Sequence, residues 1–145
     1  MEINSKEPTI LWFSPREILR TWGSSDSGRS DNKGLRRVMK EKREDFSYRN
    51  ALEFLHQHGF LCPLSFKVID GKKVHHEGHH RFAAAIDLGY KRIPYVEVLS
   101  WGESRSKTTP EQYLDKTTYT RYSERVNPTF VHPKNPVPKA VSQQV

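Results

Sequence analysis

Three features of the chain predict an α+β fold, a small mixed β-sheet flanked by helices. Leu64, Phe66 and Val68 alternate as in a strand, and Asp70-Gly71 just beyond them is a two-residue hairpin signal. Helical spacing marks two other segments: Tyr48, Ala51, Leu52 and Leu55 at i, i+3, i+4 and i+7, and the alanine-rich stretch Arg81 to Leu88. A chain of 145 residues has room for one such domain and a tail.

Thr9 to Phe13 reads as a short strand. In Ser14-Pro15-Arg16-Glu17, the serine can cap a helix, the proline suits its first position and the glutamate can close a capping box. Ile18, Leu19 and Trp22 give this helix an apolar face, and Gly23 ends it. Residues 23–34 contain no apolar side chain and are expected to form a mobile loop. A basic helix over residues 35–44 follows, with Leu35, Val38 and Met39 on one side. Arg36, Arg37, Lys40, Lys42 and Arg43 surround the rest, although Glu41, Glu44 and Asp45 dilute the charge.

Ser47 to His58 forms the next helix, which Gly59 stops in a left-handed conformation. After the Leu64 strand and its turn, Lys73 to His76 is the returning strand. Gly89 ends the alanine-rich helix, and Ile93-Pro94 leads into a strand at Tyr95 to Leu99 with Val96 and Val98 on one face. Beyond Trp101 the pattern weakens. Thr109-Pro110-Glu111-Gln112 is a further capping box that could start one short helix through Leu114. Residues 126–145 hold four prolines and little apolar content, so an extended or disordered arm is expected there. The expected organisation is a domain over 1–101, with its core at 46–99, and a C-terminal extension over 102–145.

Composition narrows the function. Lys and Arg number 24 against 17 acidic residues, a formal charge of +7, which favours a polyanionic partner such as DNA, or an anionic ligand. Cys62 is the only cysteine, so an internal disulfide and a cysteine-built zinc site are excluded. It reads as a small buried apolar residue. No apolar run approaches the ~20 residues of a membrane span. The N-terminus lacks the basic start and apolar core of a signal peptide. These features predict a cytoplasmic protein without a membrane partner. The arm leaves room for ordering against a partner or a second copy, so a homo-oligomer stays open.

The richest stretch is Val74-His75-His76-Glu77-Gly78-His79-His80-Arg81-Phe82, at the junction of a strand and a helix. Three readings compete. His76-Glu77-Gly78-His79-His80 matches the H-E-x-x-H pattern of zinc peptidases. That chemistry needs both histidines on one continuous helix, and a strand followed by Gly78 does not provide it. A histidine–metal site is the second reading, limited because His75 and His76 point to opposite faces of a strand. In the third, the helix start is a phosphate cradle. Gly78 admits close approach of the backbone, the amides of His79 and His80 face the anion, and Arg81 adds a bidentate fork.

These residues also carry a resemblance. Tyr48 to Leu99 resembles the ParB/sulfiredoxin superfamily, in its ParB-like nuclease branch. The ordered set is Gly59-Phe60-Leu61-Cys62-Pro63, Glu77-Gly78-His79-His80-Arg81, Ala83-Ala84-Ala85, Gly89 and Ile93-Pro94. His79 stands where sulfiredoxins carry the catalytic cysteine, so sulfur reduction by that route is not available. His79, His80 and Cys62 also depart from the residues of chromosome-segregation ParB proteins, and no helix-turn-helix follows Leu99.

The resemblance implies a ParB/sulfiredoxin-like sheet and a phosphate-binding core of Gly78, His79, His80 and Arg81. It implies a nuclease acting on DNA, an accessory protein of a phage or mobile element. Glu77, His79 and His80 are then the catalytic candidates, with Glu77 orienting a histidine or holding a divalent metal such as magnesium. Arg36, Arg37, Lys40 and Arg43 are the nucleic-acid-binding candidates. Two alternatives stay open. One is a hydrolase or kinase that seats a nucleoside triphosphate in the same cradle. The other is a non-catalytic DNA- or protein-binding module.

Overall fold

The computed structural model describes residues 9–25, 32–61, 63–99 and 130–139. The first strand, β1 (Leu11–Phe13), leads into α1 (Pro15–Thr21), whose start follows the sequence signals: Pro15 is the first helical residue, and Ser14 Oγ accepts from the Glu17 amide at 3.1 Å. Next come β2 (Gly23–Ser24), α2 (Asn32–Lys42), α3 (Phe46–His58), the hairpin β3 (Leu64–Ile69) and β4 (Lys72–Glu77), α4 (His79–Asp87) and β5 (Ile93–Glu97).

The sheet order is β1-β5-β3-β4-β2. β1–β5 and β3–β4 pair antiparallel, while β5–β3 and β4–β2 pair parallel, so the sheet is mixed, as expected for an α+β chain. Asp70 and Gly71 both have positive φ, 51° and 79°, which is the primed-turn geometry that matches the twist of the flanking strands.

Both ends of the stretch expected to be a loop are structured. Gly23 and Ser24 are buried and pair with Val74 and His75, and α2 begins at Asn32. The partners of β2 lie 51 residues further along the chain, so no local pattern reveals them. The rest of that loop, Cys62 and the expected helix after Thr109 lie outside the described residues. The arm departs from expectation in its middle. Residues 130–139 are irregular but docked: Phe130 is buried in the core, and the Asn135 side chain bonds the backbone of Lys91 and Arg92.

Ile18, Trp22, Leu35, Met39, Leu55, Phe66, Phe82 and Tyr95 anchor one core cluster. Each such side chain contributes about 1.5–3 kcal/mol of hydrophobic burial. Aromatic edges dominate its centre: the Trp22 ring lies 4.9 Å from Phe13, 5.1 Å from Phe66 and 4.8 Å from Tyr95. Val68, expected on the apolar face of its strand, is 39% exposed instead, beside the hairpin turn.

Candidate functional site

The β4–α4 junction begins with a ladder shift. Ser65 pairs with Glu77 and Phe66 with His75, which leaves His76 as the extra residue of a bulge. Bulges bend and re-aim a strand, here where it enters the helix. Gly78 follows at φ 102°, in left-handed geometry at the N-cap of α4. A Cβ on it would sit 2.3 Å from Leu64 Cδ2. Glycine is thus required by the turn and by the Leu64 side chain pressed against it, rather than by open space for a ligand. The amides of His79, His80 and Arg81 lie in the first turn of α4, where the helix has no carbonyl to offer them and its dipole is positive.

The two adjacent histidines are put to different uses. His79 turns inward, 5% exposed, with Nε2 2.8 Å from the buried Ser24 Oγ. Its ring centroid is 4.4 Å from that of His75. His75 is fully buried among Trp22, Phe82 and Tyr95, and neither of its ring nitrogens has a hydrogen-bond partner. Burial, reinforced by the nearby His79, Arg81 and His76, holds its pKa well below the usual imidazole range, so His75 is neutral.

His80 lies at the surface. Its Nε2 is 2.9 Å from Asp45 Oδ2, with the two side chains 28% and 53% exposed. A carboxylate oxygen accepts, so in this contact His80 Nε2 is the donor and Asp45 holds the ring in place. Asp45 occupies the N-cap position of α3 but does not cap it; its carboxylate serves His80 instead. Sequence reasoning missed both Asp45 and Ser24. Asp45 stood out only as a charge diluting a basic helix, and Ser24 only as one serine of a polar stretch.

Glu77 is 7% exposed at the end of β4, and Arg81 is half-buried beside the cluster. Among the described residues no three His, Cys, Asp or Glu side chains form a group that could hold a metal ion. His76 on β4 and His80 on α4 are separated by the left-handed Gly78, so the H-E-x-x-H pattern does not lie on one helix.

Of the four expected nucleic-acid contacts, Arg36, Arg37 and Lys40 are exposed on α2, while Leu35, Val38 and Met39 are buried. Arg43 differs from these three in having an internal partner. Its Nε and Nη2 donate to Asp87 at 2.9 and 3.1 Å, and Tyr48 Oη donates to the same carboxylate at 2.5 Å. Arg43, just past the end of α2, and Tyr48 of α3 are thereby both tied to α4. Among the described residues no helix is long and apolar enough to cross a membrane.

No protein-family model matches the chain, and no curated protein matches it. Among solved structures, sulfiredoxin from Arabidopsis thaliana is similar at 18% identity, with 68% of this chain and 94% of that chain covered and a TM-score of 0.44.

Proposed function

We propose that the chain is a phosphate-directed protein acting on nucleic acid, with nuclease chemistry centred on His80. The observation that carries this reading is the His80–Asp45 pair on the first turn of α4, a partly exposed imidazole oriented by a carboxylate beside a positive helix start. In this reading the phosphate sits on the first-turn amides with Arg81 nearby. Nδ1 of His80 takes the proton of an attacking water. The new P–O bond forms as the bond to the leaving oxygen breaks, and that oxygen takes up a proton from solvent. Asp45 stabilises the imidazolium that results, as carboxylates do for catalytic histidines generally. His79 positions the junction through Ser24 and does not meet substrate. The exposed Arg36, Arg37 and Lys40 on α2 supply backbone contacts that do not depend on sequence.

The test is cleavage and binding of single- and double-stranded DNA, with and without magnesium, by wild type, His80→Ala and Arg81→Ala. Cleavage should fall at least ~100-fold in His80→Ala, the usual weight of a general acid–base, with binding retained. Arg81→Ala should weaken both. Replacing Arg36, Arg37 and Lys40 by Gln should reduce the salt slope of DNA binding by about two to three. DNA binding without cleavage in the wild type would point to the non-catalytic module. Binding to neither strand form would sink the nucleic-acid reading.

A further inference from the structure

A cavity of about 470 Å³ opens at the opposite end of α4 from Gly78. The nine residues of α4 put the two ends ~13 Å apart. Pro15, Ile86 and Tyr90 give the cavity an apolar lining, and Arg16, Lys91, Arg92 and Lys134 bring four positive charges to it. No acidic residue lines it among the described residues, and none of these four cations is in an ion pair there.

The placement of these charges is built. Asn135 Oδ1 accepts from the Lys91 and Arg92 amides at 2.8 and 2.9 Å, and its Nδ2 donates to the Arg92 carbonyl at 2.7 Å. This clasp fixes the neighbouring Lys134 beside the Lys91-Arg92 turn. Arg92 Nη1 donates to the Lys91 carbonyl at 3.2 Å, which holds the guanidinium close to that turn. Four like charges around one concavity repel each other in the empty protein and attract a multiply charged anion. The volume is in the range of small-molecule sites, and the mixture of an apolar lining with a few charged groups is their usual chemistry.

We propose that this cavity binds a small organic polyphosphate, its anionic end held by Arg16, Lys91, Arg92 and Lys134 and its apolar body against Pro15, Ile86 and Tyr90. The site shares no residue with the first turn of α4 and does not depend on the nuclease reading.

Calorimetric titration of the full chain tests it with three probes: ATP, tripolyphosphate and a short oligothymidylate. ATP should bind more tightly than tripolyphosphate, although it carries less charge, because it alone has a body for the apolar lining. The double substitution Lys91→Gln/Lys134→Gln should weaken ATP about tenfold with no fall in melting temperature, since neither ammonium makes a hydrogen bond or ion pair among the described residues. Arg81→Ala should leave ATP binding as it is. ATP binding that survives the double substitution, or that is lost with Arg81→Ala, overturns the proposal. So does tripolyphosphate binding as tightly as ATP, oligothymidylate displacing ATP with higher affinity, or no detectable binding of ATP.

Discussion

His75 shows how one buried side chain sets a pH response. It occupies an aromatic cage between Trp22, Phe82 and Tyr95, with no acceptor or donor for either ring nitrogen. Desolvation first, and then the neighbouring His79, Arg81 and His76, keep it neutral in the folded chain. In the unfolded chain the same ring takes a proton at its ordinary pKa of about 6.5. The folded pKa lies below the unfolded one, so the unfolded state binds more protons below about pH 6.5, and stability falls as pH drops through that window. The loss approaches ~1.4 kcal/mol per pH unit until the native ring itself protonates. His75→Phe keeps an aromatic ring and removes the titration. Its melting temperature should therefore fall less than that of wild type between pH 7 and pH 5. His58 and His132 are also depressed by burial and remain in the variant, so the difference between the two curves reports His75. Superimposable curves would show that His75 does not titrate in the unfolded chain as argued.

At the level of elements, what could be read from sequence was what is local. The cap of α1 needs only Ser14, Pro15 and Glu17, the hairpin needs Asp70-Gly71, and the buried face of α2 follows from Leu35, Val38 and Met39. A two-residue strand of Gly and Ser has no such signature; β2 exists because β4 offers it a parallel edge. For the same reason the site was half legible. The cluster at residues 75–81 is contiguous in sequence. The carboxylate that orients His80 is 35 positions away and the hydroxyl that holds His79 is 55 away. The Arg43–Asp87–Tyr48 clasp is a third contact of this kind, joining α3 and the residue just past α2 to α4. Burial pushes the Asp87 carboxyl up, but the hydrogen bonds from Arg43 and Tyr48 outweigh it and hold the group below the usual carboxylate range. Its contribution is present above the unfolded pKa and is lost as pH falls below about 4. The pair is about one-third exposed and screened, so Asp87→Asn should cost only about 1 kcal/mol at neutral pH by chemical denaturation. It should also flatten the acid limb of the stability curve. An unchanged acid limb would mean that the clasp contributes nothing to stability.

For the molecule as a whole, the docked segment 130–139 ties the C-terminal extension to the first strand and to the turn before the last. Phe130 is 9% exposed at the core, the His132 ring lies 5.0 Å from Trp12 of β1, and Pro138 packs over Gly59, where an added Cβ would meet it at 2.8 Å. Asn135 supplies the polar half of the contact, and its three bonds satisfy backbone groups of Lys91 and Arg92 just ahead of β5. The Lys91 amide is exposed and returns to water, while the Arg92 amide and carbonyl are half-buried, so Asn135→Ala should cost about 1–2 kcal/mol. Truncation after residue 129 removes the same bonds together with the Phe130, His132 and Pro138 contacts. It should cost more, on the order of 3–5 kcal/mol, and be read as a lowered midpoint in urea. The two variants separate the polar clasp from the apolar seal. An arm that merely trails from a finished domain would leave both midpoints at the wild-type value, and the domain would then end near β5. If instead the point variant falls as far as the truncation, Asn135 alone holds the arm, and the apolar contacts form only once it is clasped.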